Sequence, residues 1–151
     1  MSAHTYSLGY LPDPPDKRDY SYSASPRLSS LVKGIDYSSR MSPVKDQGNR
    51  RSCVAHAMCA VLEVKMLIND RKPNFSEEML YQAIAEPGGG AYPRNACKVL
   101  LRLGVAREQF WPYDKTVKDP VSTRYIIDWT EHRRALGDAR KWRIKKYVAL
   151  Q

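Results

Sequence analysis

Gln47-Gly48-Asn49-Arg50-Arg51-Ser52-Cys53-Val54-Ala55-His56-Ala57 is the stretch that decides how the rest of this chain is read. A glycine turn leads to Ser52, a good residue for capping a helix start. Beyond it, Val54, Ala57, Met58, Val61, Leu62 and Met66 recur at three- and four-residue spacing. That spacing predicts a helix from Ser52 or Cys53 to about Asn69 with one buried face. Cys53 then sits at the positive end of the helix, where N–H groups without backbone partners favour a nucleophilic thiolate. The carboxamide of Gln47 can fold back through Gly48 and present an N–H beside the sulfur. With the backbone N–H of Cys53 it would form a two-point cradle for a developing oxyanion. The bland alternative stands beside this one: a cysteine at a helix start is also a common inert, buried small residue.

Outward from this segment, the pattern stays helical. A second helix is predicted after Ser76, with Met79, Leu80, Ala83 and Ile84 inward and Glu77 and Glu78 in its favourable first turn. Pro87-Gly88-Gly89-Gly90 breaks the chain, and a third helix runs from Pro93 to Gly104 on an apolar face of Ala96, Val99, Leu100 and Leu103. The signal then weakens to a helix over about Thr130 to Lys141 and a strand over Trp142 to Leu150. At the other end, residues 1–34 read as an extended segment, with Pro12, Pro14 and Pro15 restricting the backbone. Tyr10, Tyr20 and Tyr22 are candidate anchors for it, either as a tail wrapped on the surface or as a cover over a cleft.

Composition narrows the classes. A chain of 151 residues with 42% hydrophobic content suits one folded domain rather than a disordered segment. No long apolar run argues for a membrane span, and the first residues lack the pattern of a signal peptide, so a cytoplasmic setting is expected. The three cysteines, Cys53, Cys59 and Cys97, show neither disulfide-framework nor zinc spacing. The net charge of +9 invites nucleic acid as a partner, but no recognised motif accompanies it. Ser122 to Gln151 holds eight Lys or Arg against three Asp or Glu, which a solvated basic face explains as well.

Asp46-Gln47-Gly48 followed by Ser52-Cys53 and a helix resembles the active-site segment of the papain family of cysteine peptidases. Ile35-Asp36-Tyr37-Ser38 and Ser42-Pro43-Val44-Lys45 are similar to the opening of that family's mature domain. Phe75-Ser76-Glu77-Glu78 resembles the start of its second helix, and Gly90-Ala91-Tyr92-Pro93-Arg94-Asn95-Ala96 its substrate loop and third helix. Gly104-Val105 and Trp111-Pro112-Tyr113 fit the connection that follows. Gly9-Tyr10-Leu11-Pro12-Asp13 and Arg18-Asp19-Tyr20 look like the short N-terminal extension of prokaryotic members.

The resemblance implies an α+β papain-like fold, of which residues 35–151 carry the mostly helical half while the β-rich half is missing. It implies peptide-bond hydrolysis through an acyl-enzyme at Cys53, with Gln47 in the oxyanion hole and Ser52 shaping the turn. Arg51, Gly89, Gly90 and Ala91 would line the substrate path, the loop pairing with an extended peptide as an added strand. Thiol acyl transfer implies no cofactor or metal. Two residues depart from the family pattern. Arg50 stands where the family usually has a disulfide cysteine, and Arg51 replaces a glycine, which would narrow the site or select an acidic group. The family's general-base histidine and its orienting asparagine have no counterpart in this sequence, and His4, His56 and His132 are weak substitutes. The alternative function is therefore an inactive remnant that binds peptides or proteins. Partners implied are a peptide or protein substrate and either a complementary C-terminal half or a second copy, because the face that the β-rich half covers would be left apolar. The isolated chain is expected to self-associate in sedimentation; a monodisperse monomer would contradict that.

Overall fold

The computed structural model describes residues 8–17, 21–22, 34, 36–67, 73–119, 132–147 and 149–150. Three helices form its centre: α1 (Cys53–Leu67), α2 (Glu77–Ile84) and α3 (Pro93–Arg102). They pack through Val54, Ala55, Cys59 and Leu62 of α1, Leu80, Tyr81 and Ile84 of α2, and Ala96 and Leu100 of α3, with Phe75 and Val105 from the flanking loops. Full burial of a side chain such as Phe75 or Leu100 contributes roughly 1.5–3 kcal/mol. A smaller cluster joins Met79 and Ala106 to Ala135 and Ala139 of α4 (Arg133–Ala139). Single turns of 3-10 helix lie at Ser38–Arg40 and Glu108–Phe110.

The helix boundaries follow local chemistry. The Ser76 hydroxyl caps α2 by accepting the Met79 N–H at 3.0 Å. Pro93 opens α3, where a missing N–H has no cost. Two expectations change. On α1 the buried face is turned, so that Val61 is 63% exposed and Ala57 is exposed, while Glu63 is buried. Glu63 goes inside because it has partners there: the Phe75 N–H at 3.0 Å and the Ser42 hydroxyl. Glu77 and Glu78 stand in the first turn of α2 as expected, and both are buried there, 3% and 4% exposed. Secondly, the strand expected over 142–150 reduces to a two-residue β2 (Ala149–Leu150), parallel to β1 (Ser21–Tyr22). Residues 142–147 instead run irregularly over the helices, with Trp142 edge-on to Phe75 and the Ile144 N–H on the Leu100 carbonyl.

The buried acids organise the loop before α1. Arg50, 2% exposed, forks onto both carboxylate oxygens of Glu78 and gives a further bond to the Asp114 carbonyl at 2.8 Å. Its guanidinium also lies 5.1 Å from the Tyr81 ring centre and 5.0 Å from that of Tyr113. One turn away, Lys45 bonds both oxygens of Glu77 at 2.6 and 2.8 Å and the Phe75 carbonyl at 2.8 Å. Burial pushes the Glu77 carboxyl up to about 7 in spite of Lys45.

Arg50→Ala is expected to destabilise the fold by about 3–5 kcal/mol in urea unfolding, since it strands the Glu78 charge in the interior. Arg107→Ala, which breaks the partly exposed pair with Asp138, should lose much less. A pH effect is also expected. Because the folded pKa of Glu77 lies above its unfolded value of 4.5, its contribution to stability is full below that value and is lost as pH rises through about 7. Urea midpoints at pH 5 and pH 8 should differ less for Glu77→Gln than for the unsubstituted chain.

Candidate active site

Cys53 is the first residue of α1 and is half-buried. Its position is set by the loop before it. The Asp46 carboxylate accepts the Gly48 N–H at 2.9 Å and closes the turn. The Gln47 amide then donates to the Arg50 carbonyl at 3.0 Å. Ser52 is fully buried; its carbonyl takes the His56 N–H at 3.1 Å to begin the helix, and its hydroxyl lies 2.6 Å from that of Tyr113. Tyr113 donates in turn to the Gln47 carbonyl at 3.0 Å, so one phenol ties the two ends of the loop together. Gln47 and Cys53 come together in one open cleft of about 430 Å³, lined also by Leu8, Val44, Lys45 and Asp46.

The substrate-path candidates lie along the other wall. Gly89, Gly90 and Ala91 are buried, and the glycines hold φ of 89° and 87°, a backbone that side chains rarely adopt. Arg51 is exposed, and its guanidinium reaches the Gly88 carbonyl at 3.3 Å. Its backbone N–H is held by both oxygens of Asp119, at 3.1 and 3.2 Å. Asp119 also accepts the Tyr81 hydroxyl at 2.7 Å, and the oxygen of Tyr81 accepts the Gly90 N–H at 3.4 Å. The loop before Cys53 and the glycine loop are thus braced by one carboxylate.

The chain's own segment forms one edge of the cleft. The Gly9 N–H points to Cys53 Sγ at 3.3 Å. Gly9 O accepts the Ala91 N–H at 2.8 Å and the Leu11 N–H donates to Ala91 O at 3.1 Å, a parallel bridge centred on Tyr10 and Ala91. Further along, Asp13 accepts the Arg94 N–H at 3.1 and 3.2 Å, capping α3 where Tyr92 supplies no side-chain cap, and Pro14 O takes the Arg94 guanidinium at 2.7 Å. Tyr10, expected as an anchor, is 60% exposed; the backbone does the docking. Tyr20 lies outside the described residues.

The histidines are occupied elsewhere. His56 Nδ1 faces the Ser52 carbonyl at 3.1 Å, and its ring stands edge-on to Tyr113 at 4.8 Å. Burial holds its pKa below the usual range. It packs as a structural aromatic. His132 stacks on Trp111 at 3.6 Å, and His4 lies outside the described residues. Sequence reasoning missed the parts played by Gly9, Tyr81, Tyr113 and Asp119. Tyr113 carried a signal in Trp111-Pro112-Tyr113, whereas Asp119 carried none, being brought to Arg51 purely by folding.

Comparison with known proteins places this geometry. A family profile described as "Papain family cysteine protease" matches residues 32–150. Cysteine proteinase 1 of Entamoeba histolytica is 29% identical over 102 residues, covering 59% of this chain and 32% of that protein. Cysteine proteinase 3 of the same organism is 29% identical over 117 residues, 69% of this chain and 38% of that one. The chain therefore spans about a third of the length of these curated relatives. Among solved structures, xylellain, a cysteine protease from Xylella fastidiosa, superposes with a TM-score of 0.76 at 26% identity, over 100% of this chain and 61% of its own. Digestive procathepsin L2 proteinase of Tenebrio molitor shares the fold, with a TM-score of 0.60 at 22% identity over 79% of this chain and 42% of its own. The arrangement of α1, α2 and α3 around Cys53 is the helical half of the papain fold, and the chain belongs to the papain family of cysteine proteases.

Proposed function

We propose that Cys53 is the nucleophile of a peptide-bond hydrolase, and that residues 8–14 hold it closed at rest. What supports the reading most is a single observation: a peptide backbone runs along the cleft shared by Cys53 and Gln47, with an N–H on the sulfur. In the reaction the thiolate adds to a substrate carbonyl. The oxyanion is met by the Gln47 amide and the Cys53 backbone N–H, the amine leaves with a proton, and water then hydrolyses the thioester. Ser52 shapes the turn, and Ala91 supplies the main-chain pairing for an extended substrate. The proton carrier is not His56 or His132, given their contacts, so it would come from outside the described residues; the family's β-rich half is the proposed source.

A second reading has its own support. The strand docked on Ala91, with no described histidine bonded to Cys53, also suits a module that binds peptides without cleaving them. The two separate in an assay of the full-length protein on fluorogenic peptides. Peptidase action is expected to disappear in Cys53→Ser and to fall by about 10²–10³ in kcat in Gln47→Ala. Peptide binding without turnover by the unsubstituted protein would leave the binding module.

A further inference from the structure

Gly9 occupies the place directly over the nucleophile, and no other residue fits there. A Cβ built on it would lie 1.9 Å from the Arg51 carbonyl oxygen, 2.4 Å from its carbon and 2.8 Å from its Cα. All three are main-chain atoms, so no side chain can swing aside to make room. For the strand to back away it must give up its bonds at Gly9, to Cys53 Sγ at 3.3 Å on one side and to the Ala91 N–H at 2.8 Å on the other. The Gly90 backbone closes the seat from behind, where even a Cβ on Gly90 would come within 3.0 Å of Gly9 O.

The wall itself is fixed. Asp119 grips the Arg51 N–H with both oxygens, the Arg51 guanidinium lies on Gly88 O, and the next residue, Ser52, is fully buried. Asp119 is in turn fastened to α2 through Tyr81. The neighbours of the seat are unconstrained by comparison: Leu8 is 86% and Tyr10 60% exposed. Selection by shape is therefore concentrated on one residue of the bound peptide.

We propose that this site selects peptides by a glycine at the position over Cys53, with Arg51 as the specificity-determining wall and Asp119 as the residue that positions it. The proposal rests on the peptide-cleft reading above and names the class of peptide the site holds: extended peptides in the path of residues 8–11 that present a glycine N–H to the sulfur. The arginine does not read an acidic side chain here. It makes the seat narrow, through its main chain.

The test uses the full chain and the rate of Cys53 alkylation by iodoacetamide, located by peptide mass mapping. Cys59 is buried and Cys97 half-buried, both with thiols pushed up by burial, and the mapping separates them from Cys53. Gly9→Ala is expected to lift the strand off the sulfur and speed Cys53 alkylation by about tenfold or more, as forced overpacking does. Tyr10→Ala should leave the rate unchanged, and circular dichroism should show the helices intact in both. Added to the Gly9→Ala chain, the peptide Leu-Gly-Tyr-Leu-Pro-Asp-Pro should restore protection of Cys53, whereas Leu-Ala-Tyr-Leu-Pro-Asp-Pro should not. Asp119→Ala added to Gly9→Ala should let the wall yield, so that the alanine peptide now protects as well. Equal protection by the two peptides on the Gly9→Ala chain, protection by neither, or alkylation of Gly9→Ala at the unsubstituted rate would overturn the proposal. Alkylation and protection require binding only, so a protein that hydrolyses nothing can still pass, and a peptidase indifferent to glycine fails this test alone.

Discussion

The buried pair of Arg50 and Glu78 is the interaction on which the site depends. Arg50 lies in the loop that must be held still for Cys53 to have a fixed environment, and its carbonyl is what the Gln47 amide bonds. Its guanidinium joins that loop to α2 through Glu78 and to the 113–114 segment through the Asp114 carbonyl. A covalent bridge at this place would limit the same motion. An ion pair does so without oxidation, and its strength comes from geometry: a fork on a carboxylate, between two aromatic faces, in a place with little water. The loop is then fixed at three points, Arg50 on Glu78, Ser52 on Tyr113 and Arg51 on Asp119.

From that rigid loop the rest follows. Cys53 and Gln47 share a cleft because the turn at Gly48 and the phenol of Tyr113 bring their backbones together. The opposite wall is a glycine loop in which Gly89 and Gly90, having no side chains, take positive φ values. Between the walls lies main chain, paired to Ala91 and fastened to α3 by Asp13. The docking is made by backbone groups and one carboxylate, which explains how the segment can lie extended while its flanking side chains remain in solvent. The same geometry that accepts the chain's own segment defines what a second peptide would have to look like.

Much of the fold was legible in the sequence because it is built from local signals. A helix begins directly after Ser76 as expected, Pro93 opened the next, and the apolar faces of α2 and α3 were read in the right places. The turned face of α1 was not legible, since Glu63 is drawn inward by Ser42 and Phe75, residues distant in sequence. The burial of Glu77 and Glu78 was not legible for the same reason: Lys45 and Arg50, their partners, are about thirty positions away, at separations of 32 and 28. Cys53, Gln47 and the glycine loop were named as candidates from motif and helix position, whereas Asp119 and Gly9 meet them only through folding. Periodicity reports which face is apolar; it says nothing of which charge will meet which.

Hydrogen exchange at the Gly9, Leu11 and Ala91 amides of the unsubstituted chain tests most directly whether a peptide strand is built into the site beside Cys53. All three amides are bonded in the structure, to the sulfur, to Ala91 O and to Gly9 O. The expected result is slow exchange at the three together, with Tyr10 between them faster. Exchange at Gly9 and Leu11 at the rate of an unstructured peptide, with Ala91 equally open, would contradict the account.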